Sequence, residues 1–275
     1  MTSSPQAPDR GESWGRDGST GSADGVFDVD SLDDLHAFFE VNGYATLRSA
    51  LLDDQLTLAE SELVLAQQQL VEGALDAHGT DILDDPGATI DGERFAHYVC
   101  FATRASAAAA RLVHHQALVE INRRILGPNA WLLDYAQFGI VYQDSRPGPG
   151  SGYSRIGWHT DHQSGPHLDM WPAVAFTIHL DPTSPANGFL RVLPGSHLHD
   201  DQGMPLGFER VPGEIAVYQE RGDVMFHHAD LWHSAARATA EGDAAIRRHL
   251  RGSWHTGTRL AEDHGTDDFV KNAQR

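Results

Sequence analysis

The five residues from Gly157 to Asp161 (GWHTD) carry the densest chemical signal in the chain. In extended backbone, side chains at i and i+2 leave the same face. His159 and Asp161 would then project together, with Cα atoms roughly 7 Å apart. Both side chains are long enough to meet at one metal ion, at about 2.1 Å each. On a helix the same two positions diverge, so this pairing needs a strand. A third ligand has to come from elsewhere in the chain. His233, in Gly222 to Ser234 (GDVMFHHADLWHS), is the residue expected there, with His227 and His228 as its competitors. Two imidazoles and one carboxylate on one side of a metal leave three positions open, the pattern of non-haem Fe(II) oxygenases. A cosubstrate that chelates through two of them, as 2-oxoglutarate does with its keto acid end, leaves one for dioxygen. Its far carboxylate then needs a fixed cation. Arginine suits, because its planar fork holds a carboxylate bidentately and stays charged. Arg247 and Arg248 open the next strand after His233, and alternation lets only one of them face the site.

The elements that must position these residues can be read around them. Ser31 with Asp34 reads as an N-cap and its acidic partner ahead of an apolar stripe of Leu35, Phe38 and Phe39. Asn42-Gly43 closes that helix, and Tyr44 to Arg48 reads as a strand. From Asp53, leucines at 56, 63 and 70 with alanines at 59 and 66 predict an amphipathic helix that covers a core. A third helix is expected over roughly 106–126, stopped by Gly127-Pro128. After Pro128, short apolar runs alternate with Gly/Pro-rich turns. The strand candidates are Trp131 to Tyr142, Val174 to Leu180, Phe189 to Leu193, Ile215 to Tyr218, Val224 to Phe226 and Arg247 to Trp254. Helices followed by many short strands predict a mainly β fold with flanking helices and a jelly-roll core. Residues 1–25, rich in Ser, Gly, Pro and Asp, are expected to be a disordered tail. Residues 26–256 are expected to form one domain, and 257–275 a polar C-terminal tail. Residues 76–105 and 143–156 are expected to border the pocket as loops.

The chain of 275 residues is 40% hydrophobic, which suits one large domain. Its formal net charge of −19 is a poor match for nucleic acid or an anionic membrane surface. A single cysteine, Cys100, rules out an intrachain disulfide and any cysteine-built metal cluster within one chain. No apolar run at the start reads as a signal peptide, and none elsewhere reads as a membrane span, so the expected setting is cytoplasmic. The expected partner is a small molecule.

Four segments resemble the phytanoyl-CoA dioxygenase family. Gly43 to Arg48 resembles its opening, and Trp158-His159-Thr160-Asp161 its W-H-x-D metal motif. Asn187 to His197 (NGFLRVLPGSH) resembles its N-G-x-L-x-x-x-P-G-S-H segment. Gly222-Asp223 followed by His233 resembles its G-D-to-histidine run. The resemblance spans roughly residues 31–255. It implies a double-stranded β-helix core, Fe(II) on His159, Asp161 and His233, and 2-oxoglutarate and dioxygen as cosubstrates. It makes Arg247 the best match for the arginine that holds 2-oxoglutarate, with Arg248 or Arg237 as alternatives, because Thr239 to Asp243 reads as a small insertion. Thr177 and Gln137 fall where the family has polar cosubstrate contacts. Asp161 stands where halogenating members have a small residue, which argues against halide transfer. Hydroxylation is the default outcome, with epimerisation, cyclisation and desaturation open. A secondary metabolite is the expected substrate, since no basic cluster suits a nucleotide phosphate. The main rival is a cupin-like non-redox isomerase or hydrolase with the same triad and no need of the arginine.

Overall fold

The structure, a computed structural model, describes residues 24–75, 89–90, 93–134, 136, 139–146, 156–161, 170–199, 203–205 and 207–259. In chain order the first half comprises β1 (Val26–Phe27), α1 (Leu32–Asn42), β2 (Tyr44–Leu47), α2 (Asp53–Glu72), the hairpin β3 (Thr89–Ile90) and β4 (Glu93–Arg94), and β5 (Tyr98–Val99). Three helices follow: α3 (Ala102–Ala105), α4 (Ala107–Val113) and α5 (Gln116–Leu126). The second half is β6 (Trp131–Leu132), β7 (Val141–Ser145), β8 (Ile156–His159), β9 (Ala173–His179), β10 (Leu190–Val192), β11 (Ile215–Val217), β12 (Val224–His228), β13 (His233–Ala235) and β14 (Arg247–His255).

Two sheets carry the core. The larger runs β1-β2-β12-β9-β14-β7-β5, with β6 added beside β14, and the smaller runs β11-β10-β13-β8. The strands of a pair are antiparallel throughout, apart from β1 with β2. This is the double-stranded β-helix expected from the sequence, with no closed barrel.

Alternation divides the larger sheet cleanly. Ala45, Leu47, Val174, Phe176, Ile178, Val224, Phe226, Leu250 and Trp254 form one buried cluster with the helices. Leu56, Ala59, Leu63, Ala66 and Leu70 supply the α2 side of it, as their spacing predicts. The residues between them on each strand face the smaller sheet, where Tyr44 and Met225 pack against Val192 and Val217. Burying these two apolar layers fixes register, because a one-residue slip would exchange the faces.

The loops expected over 76–105 and 143–156 are in part regular structure: Tyr98–Val99 and Val141–Ser145 pair as strands and Ala102–Ala105 is helical. Three further elements differ in detail. The helix expected over 106–126 is two helices broken at His114-His115. Ser106 Oγ accepts the Ala109 N–H to start α4, and the His115 ring accepts the Ala117 N–H to start α5. Two competing caps divide what the apolar pattern reads as continuous. The run 131–142 is likewise divided into β6 and β7, with a turn in which Gly139 N–H donates to the Ala136 carbonyl. Ser31 precedes α1 but makes no side-chain cap, because a 3-10 turn over Val29–Ser31 already leads into the helix. The expectations for residues 1–23, 76–88, 147–155 and 260–275 lie outside the described residues. No described helix is long and apolar enough to cross a membrane.

Candidate metal centre

His159 and His233 are direct cross-strand partners on β8 and β13 of the smaller sheet. Their ring centroids lie 4.1 Å apart. Trp158 and Trp232 precede them in sequence and point to the other face, where they pack together with Met204. β8 stops at His159, so Asp161 does not continue the strand as its spacing suggests. Its N–H donates to the Ala229 carbonyl at 2.8 Å, which turns the chain back toward the histidines. One ligand atom from each of His159, Asp161 and His233 lies within 4.8 Å of the others, the one such metal-ready group among the described residues.

Hydrogen bonds prepare these side chains. His159 Nδ1 lies 2.8 Å from the Gly157 carbonyl, and His233 Nδ1 lies 2.8 Å from the Leu231 carbonyl. A carbonyl only accepts, so each Nδ1 must donate, and each Nε2 keeps its lone pair for a metal. Burial, with the nearby His227 imidazole, pulls the His233 pKa down to about 3, so its ring is neutral at neutral pH. Burial pushes the Asp161 carboxyl up, but His233, His227 and His159 outweigh it and hold the group well below the usual carboxylate range. The donor set is therefore two imidazole Nε2 atoms and one carboxylate, which fits a divalent first-row metal.

His227 was expected only as a competitor ligand or pocket residue. It stands on the inner face of β12 and its Nε2 donates to Asp161 Oδ2 at 3.1 Å. Asp161 Oδ1 is then the oxygen turned to His233, at 3.6 Å from its Nε2. His228, its neighbour, points the other way and packs near His197 and Phe39. His197 sits over Gly43, whose φ of 74° and lack of a Cβ leave the room it occupies. Its Nε2 donates to the Glu40 carbonyl at 3.3 Å, a turn role rather than a ligand role.

The two arginines separate sharply. Arg248 lies on the helix side, bidentate to Asp181 at 2.8 and 2.7 Å and paired with Glu60 of α2. Arg247 lies on the inner face, 7% exposed, with its Nε unbonded and no carboxylate beside it among the described residues. Burial pulls its pKa down to about 10, so it stays charged at neutral pH. Arg237 is exposed. The turn ahead of β10 holds Arg247 in place. Asn187 Nδ2 donates to the Pro182 and Ile246 carbonyls at 2.7 and 3.1 Å, and Asn187 Oδ1 accepts the Ser184 N–H at 2.8 Å. A Cβ on Gly188 would sit 2.5 Å from the Ala236 carbonyl and 2.9 Å from Arg247 Nη1, and the Gly188 φ is 89°, so the backbone clash and this conformation call for glycine beside the guanidinium. Further along the same segment, Ser196 Oγ accepts the Trp232 N–H at 2.8 Å and steadies the approach to His233. Thr177 lies on the inner face of β9, with Met225 and Arg251 as its Cα partners. Gln137 lies outside the described residues.

A jelly roll with a two-histidine, one-carboxylate cluster between its sheets, and a buried arginine that has no carboxylate among the described residues, defines a class of metal-dependent proteins. Residues 39–248, well over half the chain, match the phytanoyl-CoA dioxygenase family. The chain belongs to that family, and on that ground is an oxygenase-type enzyme. Solved structures with the same fold include the epimerase SnoN in complex with Fe3+, alpha ketoglutarate and nogalamycin RO. SnoN is 18% identical, with a TM-score of 0.59 over 86% of this chain and 88% of that one. EctD from S. alaskensis with 2-oxoglutarate and 5-hydroxyectoine is 19% identical, with a TM-score of 0.58 over 80% and 74% of the two chains. The non-heme alpha ketoglutarate dependent carbocyclase SnoK from nogalamycin biosynthesis is 21% identical, with a TM-score of 0.56 over 80% and 82%. No curated protein matches the chain.

Proposed function

We propose that this chain is an Fe(II)/2-oxoglutarate-dependent oxygenase that oxidises a small organic molecule of bacterial secondary metabolism, with hydroxylation as the default outcome. The observation that carries the proposal is a metal-ready triad together with a buried arginine that lacks any carboxylate among the described residues. An unpaired buried cation is costly to keep, and a ligand carboxylate compensates it. Iron with 2-oxoglutarate bound supplies dioxygen activation and the oxidation of the substrate. His159 and His233 offer Nε2, because their Nδ1 atoms are committed to backbone carbonyls. Asp161 offers Oδ1, because His227 occupies Oδ2. Arg247 takes the far carboxylate of the cosubstrate. The neighbours SnoN and EctD, with alpha ketoglutarate or 2-oxoglutarate bound, support the cosubstrate, and SnoN and SnoK support the metabolic setting.

The test compares two adjacent arginines. Arg247→Gln is expected to weaken 2-oxoglutarate binding at least tenfold and to leave Fe(II) binding intact. Arg248→Gln is expected to lower stability and leave 2-oxoglutarate affinity within about twofold. A wild type that binds no 2-oxoglutarate and forms no succinate, with metal-dependent activity that ignores both substitutions, would favour a non-redox metalloenzyme on this fold.

A further inference from the structure

Six arginines among the described residues are buried or half-buried: Arg146, Arg191, Arg221, Arg247, Arg248 and Arg251. Four of them sit on carboxylates. Arg146 pairs with Asp144, Arg191 with Glu214, Arg221 with Asp53 and Glu60, and Arg248 with Asp181 and Glu60. Arg247 and Arg251 have none among the described residues. In a chain with a net charge of −19, acidic partners are plentiful, so two inward cations without one stand out. Both belong to β14 and both face inward. Leu250 and Trp254 join the helix-side core, and a Cβ on Gly252 would run into Ile140 and Phe176, so positions 247, 249, 251, 253 and 255 take the opposite face.

Register locates Arg251 relative to the metal centre. Its Cα partners are Thr177 on β9 and Val141 on β7. The next inward row along the sheet is Ser253, Ala175 and His227, and His227 bonds Asp161. From strand rise and spacing, the Cα atoms of Arg251 and His227 are roughly 12 Å apart, and those of Arg251 and Arg247 about 13 Å. The Arg251 guanidinium lies over the Tyr98 ring, 5.8 Å from its centroid, whereas Arg247 reaches toward Gly188 on the other side. The Arg251 Cα is nearer the row of the metal-centre histidine than the Arg247 Cα, but the Tyr98 ring belongs to β5, on the side of β14 away from β9 and β12, so the Arg251 side chain leads away from His227.

2-Oxoglutarate has two carboxylates. In the function proposed above, the metal takes one and Arg247 the other, which leaves Arg251 with no carboxylate among the described residues or from the cosubstrate. We infer that Arg251 is a specificity residue for the substrate, and that the substrate carries an anionic group, a carboxylate, sulfonate or phosphate, seated on Arg251 in front of the Tyr98 ring. This rests on the oxygenase reading for the place of 2-oxoglutarate. It adds that the oxidised molecule is held by its charge at a fixed distance from the metal.

Calorimetry under anaerobic conditions tests this on the full chain loaded with Fe(II) and 2-oxoglutarate. The probes are benzoate, benzenesulfonate and phenyl phosphate, each compared with neutral benzyl alcohol, and their ranking identifies which anion the subsite takes. At least one anionic probe is expected to bind the wild type ten times more tightly than benzyl alcohol. Arg251→Gln and the volume-matched Arg251→Met are expected to abolish that advantage, Arg251→Lys to keep part of it, and all three to hold 2-oxoglutarate affinity within about twofold. Two substitutions of different polarity keep the comparison usable if one of them fails to fold. A wild type without preference for the anions, or an anion preference that survives in Arg251→Gln and Arg251→Met, overturns the inference. So does a tenfold loss of 2-oxoglutarate affinity in those variants, which would assign Arg251 to the cosubstrate. Should the wild type bind no 2-oxoglutarate at all, the oxygenase reading fails. The same probe series on the protein without cosubstrate then decides the anion subsite on its own.

Discussion

Asp161 offers two oxygens, and they meet different partners: His227 donates to Oδ2, while Oδ1 faces His233. A carboxylate held this way keeps one oxygen aimed at the metal without a rotamer search. His227→Phe removes the donor and keeps a ring of similar size. It is expected to weaken Fe(II) affinity by about 10–100-fold while circular dichroism stays that of the wild type. Metal titration of the two proteins checks this, and equal affinities would make His227 a bystander. His159 and Asp161 were legible in the sequence as a pair because their spacing of two residues is a short motif. His227 was not, since it is one of 17 histidines and its role depends on β12 lying opposite Asp161. The choice between Arg247 and Arg248 was also closed to the sequence. Alternation says that only one faces inward, and it took Asp181 and Glu60 to say which.

The turn over residues 182–188 connects local sequence to the placement of Arg247. Asn187 bonds the Ile246 carbonyl immediately before Arg247, and Gly188 leaves room for the guanidinium. Asn187→Ala should therefore loosen the start of β14 and weaken 2-oxoglutarate binding about tenfold, with Fe(II) affinity within twofold. It should also cost roughly 1–3 kcal/mol of stability from carbonyls left without a donor. Urea unfolding and the two titrations separate these effects, and a loss of iron and 2-oxoglutarate binding together would mean general collapse of the site. Amphipathic α2 and the strands β9, β12 and β14 follow their sequence periods closely, because burial on one or both faces dictates them. The breaks at His114-His115 and between β6 and β7 follow from side-chain caps and a turn, which compete with apolar periodicity over only two or three residues.

Several histidines are buried neutral across the fold as a whole. Burial pulls His179 down to about 3, with Arg247 adding to it, and pulls His255 down to about 4. The unfolded chain protonates such rings near pH 6.5, but the folded chain resists until pH 3–4. The unfolded state therefore binds more protons between these limits, and stability falls as pH drops below about 6.5. The slope is up to about 1.4 kcal/mol per pH unit for each such ring. Urea midpoints of the metal-free protein should be level between pH 8 and 7 and decline steadily from 6.5 to 4.5; a flat response across that lower range would contradict the burial of these rings. The two-sheet architecture was readable from the order of helices and strands. The pairing of His159 with His233 across β8 and β13 was not, because 74 residues separate them and only the assembled smaller sheet sets their register. We propose that this pair, with Asp161, holds iron next to a 2-oxoglutarate site ending on Arg247. Anaerobic addition of Fe(II) and then 2-oxoglutarate to the purified chain tests it most directly. A weak visible charge-transfer band should grow to one equivalent of each in the wild type and be lost in Asp161→Ala; no band in the wild type, or an undiminished band in Asp161→Ala, would contradict it.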